Sequence, residues 1–228
     1  MKKILKNSAI LAMAALMLTS CDKDSEGLSK ISTIPELTVL GDPIVSLRLG
    51  GTYTDQGCTA KCDGQDVSNT ITMRSTINPI VPGFYKVIYT ARNADGAPGT
   101  AVRTVMVCDP NNFASPYFGE SQYGSRHYYN APITISELGD GLYAIDDLAG
   151  GFYCYGRYPG YEPTYDFHLD AVLKLNEDNT IELEECNGED WFWGEDMTLT
   201  EGKYDPATGT VTLDLVFGGT PLYVKLTK

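Results

Sequence analysis

The chain has 228 residues, and its first 20 read as a removable leader, so 208 remain for folded structure: too long for one immunoglobulin-sized sandwich, comfortable for two small domains. It carries 17 Lys and Arg against 30 Asp and Glu, and with Lys2, Lys3 and Lys6 assigned to the leader the remainder has a net charge of about −16. Such a surface repels phosphate backbones and anionic headgroups, which argues against nucleic acid and against polybasic docking on a membrane.

The first element is the leader, residues 1–20. Lys2, Lys3 and Lys6 make a basic start, and an apolar run from Ala9 to Leu18 follows that is too short to span a bilayer. It ends in Leu18-Thr19-Ser20-Cys21, which resembles a bacterial lipobox, and the resemblance implies that Cys21 becomes both the new N-terminus and the lipid anchor. Asp22-Lys23-Asp24-Ser25-Glu26 then resembles the acidic export signal of surface lipoproteins in Bacteroidetes, implying a lipid-anchored, outward-facing place on the outer membrane. Residues 21–35 lack apolar periodicity and read as a flexible tether.

From residue 36 the pattern is all-β, with short alternating runs between clusters of Gly, Pro, Asn and Asp. Tyr85, Val87, Tyr89 and Ala91 share one parity and predict a half-buried strand between the turns Pro82-Gly83 and Asn93-Ala94-Asp95-Gly96. Arg103, Val105 and Val107 predict another, ending at Cys108. The succession Tyr53-x-Asp55-x-Gly57-x-x-Ala60, Gly64-x-Asp66-Val67, Pro82-Gly83-x-Tyr85-x-Val87-x-Tyr89-x-Ala91 and Arg103-x-Val105-x-Val107 resembles the Ig-like domain first described in insecticidal crystal proteins. That resemblance covers residues 36–108 and implies a seven-stranded sandwich serving as a spacer or interaction module. Cys58 departs from the family's usual small apolar residue.

Residues 109–116, rich in Pro and Asn, predict a hinge, and residues 117–228 a second β domain. Ile133-Thr134-Ile135 and Leu142-Tyr143-Ala144-Ile145 flank the turn Gly139-Asp140-Gly141. Phe167, Leu169, Ala171, Leu173 and Leu175 alternate with polar residues, residues 176–179 turn the chain, and Val211, Leu213, Leu215, Phe217, Leu222, Val224 and Leu226 close it. Successive hairpins predict an up-and-down antiparallel meander, hence a small barrel or sandwich. Gly141-x-Tyr143-x-Ile145-x-Asp147-x-x-Gly150-Gly151-Phe152-Tyr153 resembles the C-terminal domains of uncharacterised Bacteroidetes lipoproteins.

The chemically suggestive residues are aromatic: 14 of the 55 residues from Phe113 to Phe167, against 11% for the chain. Tyr155, Tyr158 and Tyr161 fall on a Gly- and Pro-containing segment that reads as a loop, and Trp191 and Trp193, if extended, share one face with carboxylates beside them. Aromatic faces suit pyranose C–H bonds, so these five residues are the candidate carbohydrate platform, the alternative being that they fill a core. Polysaccharide or oligosaccharide is the expected partner, with outer-membrane uptake proteins beside it, and the habits of similar lipoproteins imply a non-catalytic accessory to glycan uptake. A structural or adhesion module contacting a protein is the second reading. A glycoside hydrolase using Glu184, Glu185, Glu189 or Asp190 is the third. Asp166-x-His168-x-Asp170 could converge on an ion but reads more simply as a solvated strand face, so neither metal nor cofactor is expected. Among the cysteines after Cys21, Cys154 and Cys186 are the one pair wholly inside the second domain, either bridged or left as small buried thiols.

If Cys21 carries the lipid, Cys21→Ala moves the protein from washed membranes to the soluble fraction; retention of the variant in membranes overturns the anchor.

Overall fold

The computed structural model describes residues 32–161 and 164–228, so the leader, Cys21 and the tether up to residue 31 lie outside the described residues. Strands dominate. The first seven form two facing sheets: β1 (Glu36–Val39), β3 (Cys58–Cys62) and β4 (Gln65–Asp66) in one, and β2 (Ile44–Arg48), β7 (Pro98–Cys108), β6 (Gly83–Arg92) and β5 (Thr72–Ser75), in that order, in the other. All pairs are antiparallel except β2 with β7. The predicted parity of β6 holds, since Val87, Tyr89 and Ala91 are buried. Val87, Tyr89 and Val105 form the sandwich core, with Leu37, Val39, Val45, Leu47 and Cys58 packed against them. Cys58 therefore does the packing job of the small apolar residue it replaces.

Arg103 shares the inward parity of Val105 and Val107, and its side chain is buried with them. A charge can sit there only if paired. Its Nη1 donates to Asp55 Oδ1 at 2.6 Å, to Tyr53 OH at 3.0 Å and to Tyr89 OH at 3.2 Å, while Nε donates to Asp42 O at 3.0 Å and Nη2 to Leu40 O. Both tyrosine hydroxyls donate onward to Asp55 Oδ1, and Gly57 N donates to Oδ2 at 3.1 Å. The Tyr53-x-Asp55-x-Gly57 motif is thus one half of a buried polar cluster and Arg103 the other. Burial alone would raise the Asp55 carboxyl, but the hydrogen bonds from Tyr89 and Tyr53, the Arg103 charge and the Gly57 N–H together hold it below its ordinary value.

The remaining eight strands form one sheet in the order β12 (Ile181–Cys186), β11 (Ala171–Leu175), β10 (Leu142–Ile145), β9 (Arg126–Gly139), β8 (Pro116–Tyr123), β15 (Thr220–Thr227), β14 (Thr210–Phe217), β13 (Thr198–Asp205). Every chain neighbour from β8 to β12 and from β13 to β15 is also a spatial neighbour, as a meander requires. The first strand pairs with the last, from Leu222↔Tyr123 to Thr227↔Phe118. The barrel is nearly closed, and its gap lies in mid-chain: β12 and β13 meet at one end only, through the Thr180↔Lys203 bridge and Tyr204 N to Asn179 O at 2.9 Å. Beyond that end they part around an open cleft of about 790 Å³ lined by residues 180–186 and 196–202. Ile133, Ile135, Leu173, Val211, Leu213, Leu222 and Leu226 fill the interior.

Two expectations need correction. Residues 166–170 are not strand; β11 begins at Ala171, although Phe167 and Leu169 are buried as predicted. The expected hinge is anchored rather than loose. Phe113 is buried in the barrel core, and the Lys228 ammonium donates to Asp109 O at 3.1 Å and Asn112 O at 2.5 Å while lying over the Tyr117 ring. Met106 and Cys108 of β7 pack against Phe118 of β8, giving the sandwich and the barrel a shared apolar contact.

Arg103→Ala should destabilise the sandwich by about 3 kcal/mol, because it leaves Asp55 in a half-closed polar cluster without its cation. Since the Asp55 carboxyl is depressed in the folded state, the pair's contribution is full at neutral pH and lost as pH falls through that depressed value. Urea unfolding followed by far-ultraviolet circular dichroism checks both; an unchanged midpoint at neutral pH contradicts them.

Candidate functional site

Four of the five candidate platform residues share one ring network, and a buried carboxylate, Asp147, ties together two of the segments that carry it. Asp147 follows β10 and is fully buried. Its Oδ1 accepts from Ala149 N at 3.0 Å and Leu169 N at 3.4 Å, and its Oδ2 from Gly151 N at 3.0 Å. Leu148 N also donates to Leu169 O at 2.8 Å. The segment after β10 is thereby tied to the segment before β11. Burial pushes the Asp147 carboxyl well above the usual carboxylate range, opposed by the charge of His168 and by its backbone donors.

Asp147 also sets up the turn that carries the tyrosines. Gly150 and Gly151 adopt φ of 62° and 81°, in the left-handed region that glycine tolerates. A Cβ on Gly151 would collide with Ala131. The chain then enters a π-helical turn, Phe152–Arg157, with Gly156 N donating to Gly151 O at 3.2 Å and Tyr158 N to Tyr153 O at 2.9 Å. The segment predicted to be a loop is therefore a regular turn. Its wide spacing buries Phe152, Tyr153 and Cys154 together and leaves Tyr155 exposed.

Trp191 and Trp193 lie between β12 and β13, not on an extended run. Trp191 N donates to Gly188 O and Gly194 N to Trp191 O, so the segment is turned. The indoles come within 4.7 Å of each other, closer than strand spacing allows. Trp191 is buried, with its indole N–H donating to Phe167 O at 2.9 Å, so it belongs to the core and not to an open platform. Trp193 is half-buried against Tyr153, at 4.3 Å between ring centres.

Of the five platform candidates, four share one ring network. Tyr158 stands 5.9 Å from Tyr161 and 6.3 Å from Trp193, and Trp193 touches Trp191. Tyr155 is apart from them, beside His168 at 5.8 Å. The structure adds rings that the sequence reading did not put forward as contacts. Tyr165 lies 6.2 Å from Tyr161 and 5.8 Å from Phe192, and Phe192 lies 4.8 Å from the buried Phe167. Tyr161, Tyr165 and Phe192 are 52%, 48% and 54% exposed, which makes them an outer tier over the buried Phe167. Alternation had placed Phe167 in the core; no local signal marked Tyr165.

Beside this tier a smaller cleft of about 240 Å³ is lined by Asp166, His168, Asp170, Asn187, Asp190 and Trp191. Asp166 Oδ1 accepts from His168 N at 2.9 Å and contacts His168 Nδ1 at 2.7 Å. The His168 backbone N–H, followed by its side chain, holds the Asp166 carboxyl below its ordinary value. A sulfur, an imidazole nitrogen and a carboxylate oxygen, from Cys154, His168 and Asp166, lie within 4.8 Å of one another. Of the two alternatives for Cys154 and Cys186, the structure shows no bridge between them, and burial raises the Cys186 thiol. Of the carboxylates considered for hydrolysis, Glu184 stands 3.6 Å from the Lys174 ammonium, as an exposed strand residue does. No helix among the described residues is long and apolar enough to cross a membrane.

The two architectures are an Ig-like sandwich followed by a nearly closed antiparallel β-barrel. Residues 37–107 match the family described as bacterial surface protein, Ig-like domain. Residues 108–228, more than half the chain, match a family of C-terminal domains, and the chain belongs to that family. The lipoprotein BT2262 from Bacteroides thetaiotaomicron is similar at 26% identity over 86% of this chain and 100% of its own, with a TM-score of 0.55. Two structures of Clostridium perfringens ZmpB also align. One holds CBM51-2 in complex with GlcNAc and INT domains (14% identity, 85% of this chain and 43% of that one, TM-score 0.29). The other holds the M60 catalytic domain with CBM51-1 and CBM51-2 (13%, 87% and 21%, TM-score 0.30), and at such scores neither bears on fold or ligand. No curated protein sequence matches.

Asp147→Ala orphans the N–H groups of Ala149, Gly151 and Leu169, each at about 1–3 kcal/mol, so the barrel should lose at least about 3 kcal/mol. Tryptophan fluorescence in urea reads this directly because Trp191 packs next to Phe167. An unchanged midpoint would remove Asp147 from its organising role.

Proposed function

We propose that the protein is a non-catalytic, outward-facing outer-membrane lipoprotein, anchored at Cys21, whose barrel binds carbohydrate as an accessory to glycan uptake. The observation that carries the reading is the outer aromatic tier. Three large rings, each about half exposed, run from Tyr161 through Tyr165 to Phe192, and each contacts the buried Phe167. Exposing adjoining apolar rings costs solvation free energy, and a folded domain keeps such a patch where something docks on it. Flat rings with neighbouring acceptors match a sugar, whose C–H face stacks and whose hydroxyls donate. Asp166, Asp190 and Asn187 in the adjoining cleft supply those acceptors. The platform is accordingly Tyr161, Tyr165, Phe192 and Trp193 with Tyr158 behind them, and Trp191 is its support. The similarity to a Bacteroides lipoprotein and the surface Ig-like domain support the address.

A protein partner is the second reading, favoured by the open seam between β12 and β13, where two strand edges face solvent across the large cleft.

Affinity gels with soluble polysaccharides separate the two. Tyr161→Ala and Phe192→Ala should each weaken retardation roughly 2- to 13-fold, the loss of about 0.5–1.5 kcal/mol per stacked ring, at an unchanged melting temperature. Trp191→Ala should instead cost about 3–5 kcal/mol of stability. If the wild type is retarded by no polysaccharide, the carbohydrate reading gives way to the protein partner.

A further inference from the structure

We propose that Cys154, Asp166 and His168 form a binding site for a borderline-soft divalent metal of the Zn²⁺ class. It does not rest on the carbohydrate reading, although Asp166 and its cleft enter both. The three donors come from two segments separated in sequence, yet their ligand atoms all lie within 4.8 Å of one another. Bonds of about 2.0–2.3 Å to a central ion space tetrahedral ligands by about 3.5 Å, so even the widest pair closes by only about 1 Å.

The backbone holds both segments in place before any ion arrives. Gly151 N and Ala149 N bind Asp147 on the Cys154 side, and Leu169 N binds it on the His168 side. Cys154 is three residues from Gly151 and His168 adjoins Leu169, so the Asp147 clasp fixes the sulfur opposite the imidazole. Asp166 and His168 are drawn together in turn by their own contact at 2.7 Å. The Asp147 hydrogen bonds lie outside the ligand shell and orient it, as in established sites, while the Asp166–His168 contact opens to ligand spacing when an ion enters.

Donor chemistry selects the ion. Thiolate with imidazole suits Zn²⁺ and its neighbours, whereas Ca²⁺ and Mg²⁺ require oxygen alone. Three protein ligands leave a fourth position, and the cleft lined by Asp166, His168, Asp170, Asn187 and Asp190 gives that position an acidic, solvent-open approach. A Cys–His–Asp relay for nucleophilic attack is the competing use of these residue types. In a relay the imidazole stands between carboxylate and sulfur and keeps them a ring apart. Here the carboxylate oxygen itself lies within 4.8 Å of the sulfur, which is convergence on a point.

The test is Co²⁺ titration of the full-length protein, purified reduced and stripped of metal, followed by absorption and by competition with Zn²⁺. One equivalent should produce a sulfur-to-cobalt charge-transfer band with tetrahedral d–d bands, and one equivalent of Zn²⁺ should abolish both. Cys154→Ser should remove the charge-transfer band. His168→Gln should weaken Zn²⁺ binding by at least about tenfold, the scale of even second-shell losses. The double variant Cys58→Ser/Cys62→Ser should leave the spectrum unchanged, which excludes the two partly exposed cysteines of the sandwich as its source. Absence of the band in the wild type, its survival in Cys154→Ser, or its loss in the Cys58/Cys62 variant overturns the site. Should Cys154→Ser fail to fold, undiminished Zn²⁺ affinity in His168→Gln overturns it equally.

Discussion

The C-terminal barrel depends on a carboxylate held in the dark. Asp147 is fully buried, and a polar group so placed is tolerable only because backbone N–H groups satisfy its oxygens. Those donors come from residues 149, 151 and 169, so satisfying one side chain fixes two stretches of irregular chain relative to each other. Irregular backbone inside a barrel end has no ladder to satisfy its polar groups, and the carboxylate takes the place of a strand partner. The π-helical turn, the burial of Tyr153 and Cys154, and the approach of His168 all follow from that clasp.

Barrel closure supplies the second constraint. Because the first and last strands pair fully, the discontinuity falls between β12 and β13, where residues 187–197 leave the sheet. A closed meander would have hidden these residues or excluded them. The open seam lets Trp191 turn inward to Phe167 O and lets Phe192 turn outward. One short segment therefore contributes both to the hydrophobic base and to the exposed tier, and the two must be judged by different measurements: stability for the first, binding for the second.

The sandwich solves a similar problem with a cation. Arg103 gathers Asp55, Tyr53, Tyr89 and two carbonyls, and the polar cluster ties the loop before β3 to β6 and β7. Its other end meets the barrel through Met106, Cys108 and Phe118, while Lys228 clamps the connecting segment. The connection is thus held by apolar contact and charge-assisted hydrogen bonds, and a Pro- and Asn-rich composition did not make it loose.

Period-two alternation was enough to place β6, β7, β9, β10, β14 and β15, because each has one face in a core and one in water, and the turn residues between them have strong conformational preferences. The same local rule correctly buried Phe167 and Leu169 while mistaking residues 166–170 for strand, since burial on alternate sides does not require a hydrogen-bonded neighbour. Aromatic density pointed to the region that holds the exposed ring tier, and the lipobox resemblance to an address. What composition and spacing could not decide was which rings face solvent: Trp191 and Phe192 are adjacent and equally apolar, and only the turn between β12 and β13 separates their fates. Nor could they foresee that Cys154 would meet Asp166 and His168, because that meeting rests on Asp147 binding Leu169, 22 positions along the chain. Local pattern sets the strands, and long-range satisfaction of buried polar groups sets the site.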